Sequence, residues 1–151
     1  MIKINPYLNF PGNAEEAFNF YKSVFGGGFS SMVRAKELPI PGMPLDKKDE
    51  NKIMHMALPV GKNLLLASDV FRGRKLTRGN NVYVMVSTDS KEEADRIFTG
   101  LSAGGMVEMP MANQPWGDYY GSFVDKFGIG WMVDYAYPKP GDIPAQAVPS
   151  K

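Results

Sequence analysis

"EEAFNFYKSVFGGGFSSM", residues 15–32, returns later in the chain as "EEADRIFTGLSAGGMVEM", residues 92–109. In the first copy Ala14, Ala17, Phe18, Tyr21, Val24 and Phe25 recur at spacings of three and four, which is the apolar stripe of an amphipathic helix. Asn13 stands at the N-cap position, and Glu15 and Glu16 fall in the first turn, where the helix dipole favours negative charge. The glycines at 26–28 end the helix.

Outward from the helix the two halves stay in step. A short β-type run, "NPYLNF", precedes the first copy, and "NVYVMV" precedes the second. Asn5 matches Asn81 at an offset of 76, Glu15 to Ala17 match Glu92 to Ala94 at 77, and Gly26 and Gly27 match Gly104 and Gly105 at 78. Strands are expected at about 28–37, 51–60 and 63–69, the last two joined at the tight turn "VGKN". The stretch "MALPVGKNLLLASD" ending at Asp69 has an equally long counterpart, "GSFVDKFGIGWMVD", ending at Asp134.

Each half therefore reads strand, helix, three strands. The fold class is α+β: two tandem βαβββ units, at about 1–70 and 80–136, joined by a linker at 71–79. A single such unit leaves a sheet face uncovered, so the two are expected to share one domain, 1–136. The three-proline stretch 38–51 reads as an exposed loop or a lid, and the basic group Arg72, Arg74, Lys75 and Arg78 as solvated linker. Residues 137–151 read as a flexible tail.

Composition removes several classes of function. Seventeen Lys and Arg against sixteen Asp and Glu leave a net charge of +1, which gives no electrostatic case for nucleic acid or an anionic membrane. No cysteine is present, so thiolate catalysis, disulfides and cysteine-held metals are out. His55 is the one histidine. The opening residues lack the pattern of a signal peptide, and no window reaches the roughly 20 apolar residues of a membrane span. A cytoplasmic location is the default expectation.

The duplicated unit, with "AEEAFNFYKSVFGG" first and "PWGDYYGSFVDKFGIGWMVDY" second, resembles the glyoxalase, bleomycin-resistance and extradiol-dioxygenase superfamily, the vicinal oxygen chelate fold. The D-x-F-G-x-x-W ending with its upstream tryptophan resembles the PhnB-like branch more closely. The resemblance implies eight strands in one U-shaped mixed sheet, helices outside, a ligand cleft and a homodimer. In catalytic relatives the cleft holds a divalent metal, and the resemblance puts its ligand positions near Pro6, Leu66, Val82 and Met132. None of these side chains offers a hard oxygen or imidazole donor, so no cofactor and no metal are expected.

What remains is a small-molecule binder with an apolar, aromatic cleft, leaning away from enzyme activity. Its candidate ligand-binding residues are Tyr7, His55, Trp116, Asp118, Tyr119 and Met132. Alternation puts Tyr119, Gly121 and Phe123 on one face of their strand and Tyr120, Ser122 and Val124 on the other. Asp125 reads as turn chemistry before Gly128, and Trp131 as core. The alternatives are a metal-dependent lyase, isomerase or dioxygenase, and a structural or regulatory dimer with a vestigial cleft. A methyltransferase reading has no support, because "FGGGF" ends a helix where a nucleotide-binding glycine turn would open one.

Overall fold

The computed structural model describes residues 1–71, 73–139 and 141. Arg72, and the expected tail apart from residues 137–139 and 141, lie outside the described residues. The chain forms two compact units, Met1–Gly79 and the part from Asn80 onward. In the first, β1 (Tyr7–Phe10) leads into α1 (Ala14–Phe25), then β2 (Ser31–Arg34), β3 (Ile53–Val60) and β4 (Asn63–Asp69). In the second, β5 (Val84–Ser87) leads into α2 (Lys91–Ser102), then β6 (Met106–Asn113), β7 (Asp118–Val124) and β8 (Gly130–Ala136). The strands hydrogen-bond in two four-stranded mixed sheets, ordered β1-β4-β3-β2 and β5-β8-β7-β6. In each, the first strand runs parallel to the last and the other pairs are antiparallel. This is the α+β fold of paired βαβββ units expected from the repeat.

Each helix covers one face of its own sheet. Ala14, Ala17, Phe18 and Tyr21 of α1 are buried, and Phe18 meets Phe10 of β1 edge-on at 6.2 Å between ring centres. Under α2, Ala94, Ile97 and Leu101 are buried, and Phe98 packs edge-on against Phe123 of β7 at 5.0 Å. A Cβ on Gly121 would stand 2.8 Å from the Phe98 ring and from Met111 Sδ. Glycine here admits the helix to the sheet rather than loosening the strand.

The α1 cap differs from expectation. Asn13 makes no side-chain cap bond. Instead the buried Asp69 carboxylate accepts from Ala14 N–H at 3.0 Å and from Ile53 N–H at 2.8 Å, so the end of β4 caps the helix and ties it to β3. In α2 the cap is local: Ser90 Oγ accepts from Glu93 N–H at 3.1 Å.

Strand limits also moved. The expected strand 28–37 shortens to Ser31–Arg34 because Glu37 reaches back to accept from Arg34 N–H, and residues 35–37 form a 3₁₀ turn. Arg34 pairs with Glu15 of α1 at 2.8 Å, which holds that end of β2 against the helix. In the 38–51 stretch Asp49 is buried against Lys52 Nζ at 2.8 Å, which anchors the loop's return to β3. Leu38, Ile40 and Met43 stand exposed in its middle.

The closing hairpin of the second unit turns on one carboxylate. Asp125 Oδ1 accepts from Phe127 N–H at 2.8 Å and Ile129 N–H at 3.0 Å, and Oδ2 accepts from Trp131 Nε1 at 2.8 Å. Gly128 takes φ +89°, which completes the turn. The D-x-F-G-x-x-W pattern is thus a physical unit: the aspartate fixes both the loop and the indole of the fully buried Trp131.

Asp125→Ala would strand these donors in a buried place and is expected to cost about 2–4 kcal/mol of stability in urea unfolding. Asp125→Asn, which keeps an acceptor, is expected to cost less. Equal loss in the two variants would contradict this account of the turn.

Candidate functional site

The alternation of β7 and β8 sorts their residues by face. Phe123, Trp131 and Val133 lie fully buried on the α2 side. Register pairs Tyr120 with Asp134 and Ser122 with Met132, and β5 aligns Met85 with Met132. Asp118, Tyr120, Ser122, Met132, Asp134 and Met85 therefore share the face turned away from α2.

Asp118 and Asp134 sit diagonally across β7 and β8, where one carboxyl, when protonated, can donate to the other. Asp134 is 5% exposed. Burial first, and then the hydrogen bond and negative charge of Asp118, push its pKa up to about 6. At the end of the hairpin loop Trp116 is 57% exposed, and its ring meets Tyr120 edge-on at 5.7 Å. The turn carrying Trp116 is closed by Gly117 N–H on the Gln114 carbonyl at 3.0 Å and by Gln114 N–H on the Asp118 carbonyl at 2.8 Å. Elsewhere on the sheet Tyr83 lies over Gly130 and donates its hydroxyl to Glu108 of β6 at 2.9 Å, an interaction that raises the Tyr83 pKa.

Tyr119 faces the other way. Its hydroxyl binds Asp95 of α2, and that bond, with burial and the carboxylate charge, raises its pKa to about 12. Lys91 Nζ lies 4.9 Å from the centre of its ring. Its place on the helix-free face is taken by Tyr120, which the sequence reading put on the correct face but did not select. Phe123 and the close approach at Gly121 are the signals that Tyr119's face belongs to the helix.

In the first unit Tyr7 and His55 come together, ring centres 6.2 Å apart. Both lie on the face away from α1, since Met56, Leu58 and Ala67 are buried on the α1 side. Asn9 and Ser68 share that face, joined by a 3.2 Å hydrogen bond. Trp116, Asp118 and Met132 thus gather on one sheet, and Tyr7 and His55 on the other.

The matching of Asp69 with Asp134 needs correcting. Asp69 lies under α1, whereas Asp134 faces away from α2. The hairpins differ in length: Val60 pairs with Asn63 across two residues, but Val124 pairs with Gly130 across five. A shift of one residue sends every side chain to the opposite face.

The superfamily's metal positions do not fit a divalent ion. Pro6 gives its carbonyl to Leu66 N–H, Val82 is exposed before β5, and Met132 is a thioether among Met85 and Ser122. Among the described residues no three of His, Asp and Glu stand close enough to hold an ion. Nor is any described helix long and apolar enough to cross a membrane.

Comparison with known proteins gives the class first. A glyoxalase/bleomycin resistance protein/dioxygenase family enzyme from Burkholderia phytofirmans PsJN has the same fold, with TM-score 0.58 and 16% identity over 87% of this chain and 97% of that one. That likeness is one of fold. Residues 2–134 match the family described as 3-demethylubiquinone-9 3-methyltransferase, and the chain belongs to that family. It is similar to protein PA1353 from Pseudomonas aeruginosa, with TM-score 0.81 and 36% identity over 90% of this chain and 98% of that one. It is also similar to a putative 3-demethylubiquinone-9 3-methyltransferase, PhnB protein, from Bacillus cereus, with TM-score 0.72 and 27% identity over 89% and 100%.

Because the folded-state pKa of Asp134 lies above its usual value of 3.8, the folded chain holds a proton that the unfolded chain releases between about pH 4 and pH 6. Stability contributed by the protonated form is full below pH 4 and declines as pH rises through about 6. Asp134→Asn is therefore expected to raise the melting temperature at about pH 7.5 by about 2–4 °C, with the gain vanishing near pH 4. A gain independent of pH would show that the acid pair is not its source.

Proposed function

We propose that this chain is a small-molecule-binding protein that takes a flat, apolar ligand on the helix-free face of its second sheet. The observation that carries the reading is Trp116: more than half exposed and set edge-on to Tyr120, on a sheet whose helix-free face also carries the Asp118–Asp134 pair, Met85 and Met132. Exposed aromatics offer stacking area, and methionines adapt to irregular apolar shapes. A few polar groups within such a surface can orient a ligand. Tyr7 and His55 are carried as a second group of binding residues; a homodimer is proposed on the strength of the family resemblance alone, and a cytoplasmic location as the default for a cysteine-free chain.

Methyl transfer, the activity in the family's description, finds no support in the strand-to-helix turns. Gly12 is the one glycine between β1 and α1, and the segment between β5 and α2 has none.

The two tryptophans allow a clean test, because Trp131 is buried with its indole N–H bound to Asp125 while Trp116 faces outward. Aromatic ligands from a compound screen are expected to change the intrinsic fluorescence of the wild type and to leave Trp116→Phe silent. Ligands that bind without touching the Trp116 signal, or a screen without any binder, would overturn the placement.

A further inference from the structure

The strands of the second sheet carry an unbalanced charge. β5, β6, β7 and β8 contain three carboxylates, Glu108, Asp118 and Asp134, and not one Lys, Arg or His. The other buried carboxylates among the described residues are matched by donors or cations: Asp49 by Lys52, Asp69 by two backbone N–H groups, Asp125 by two more and an indole. Asp134 differs. It is equally withdrawn from water, yet its side-chain partner among the described residues is a second acid, Asp118. Neither forms an ion pair with a described Lys or Arg. Folding explains the first three carboxylates, but it gives no reason for placing the fourth beside a like charge, where the pair costs stability.

The surroundings supply the reason. Tyr120 lies on the same face directly opposite Asp134, and the exposed Trp116 ring stands against Tyr120. Aromatic faces attract cations through their quadrupole, and two carboxylates short of a counter-charge attract them through theirs. We infer that the helix-free face of the second sheet is a binding site for an aromatic organic cation, its protonated amine held between Asp118 and Asp134 and its flat body against Trp116 and Tyr120. This rests on the proposed small-molecule function and names the ligand's chemical class. The cation supplies the counter-charge that the pair lacks among the described residues.

The test uses one carbon skeleton in three charge states: 2-naphthylmethylamine, 2-naphthylmethanol and 2-naphthoic acid, titrated against the full chain at about pH 7.5 with Trp116 fluorescence as readout. The amine is expected to bind about tenfold or more tighter than the alcohol, and the acid not measurably. Asp134→Asn and Asp118→Asn should each remove most of the amine's advantage over the alcohol; circular dichroism confirms that each variant is folded. If the alcohol matches the amine, the cation site is wrong while the apolar binding function stands. If none of the three alters Trp116 emission, both readings fall.

Discussion

One helix can cover only one face of a four-stranded sheet, and that constraint organises each unit of this protein. Alternation along a strand sends every second side chain to the covered face and the rest to the other. On β7 and β8 the covered set is Phe123, Trp131 and Val133, all withdrawn from water. The remaining set, Asp118, Tyr120, Met132 and Asp134, is what the core does not need. Chemistry can accumulate there without disturbing the packing, provided that the register is held.

Register in the second unit is held by Asp125. Its carboxylate receives two backbone N–H groups of the hairpin loop and the Trp131 indole, so the five-residue turn and the largest core side chain are set by one group. The first unit solves the same problem differently, with Asp69 joining β4 to the start of α1 and to β3. Duplication thus kept the order of elements and changed the fastening. It also changed the hairpin, and with it the face on which the last aspartate falls.

That divergence marks where sequence reading succeeds and where it stops. The first helix was legible because Ala14, Ala17, Phe18 and Tyr21 repeat at helical spacing, and the second because "EEA" and the double glycines recur. Asp125 was legible as turn chemistry from its place before Gly128, but its bond to Trp131 was not, because contact between a side chain and an indole six residues on depends on the loop's path. Tyr120 was missed although its face was assigned correctly. Alternation separates two faces without saying which one the helix takes; Phe123 and Gly121 decide that only once Phe98 is seen against them. Asn13 failed as a cap because the carboxylate of Asp69, 55 residues beyond Ala14, reached the same helix end.

Four buried aspartates among the described residues let the structural and functional uses of one side chain be separated within a single chain. Asp49, Asp69 and Asp125 each have partners that stabilise the ionised form, and the fold would lose loops or caps without them. Asp134 has a partner that destabilises it, and removing its charge would disturb no turn and no cap. A side chain whose surroundings oppose its own ionisation contributes nothing to folding that an amide could not supply. Its identity is explained by what meets it from outside the chain, and on this sheet, with three acids and no base among its strands, the complement is positive charge.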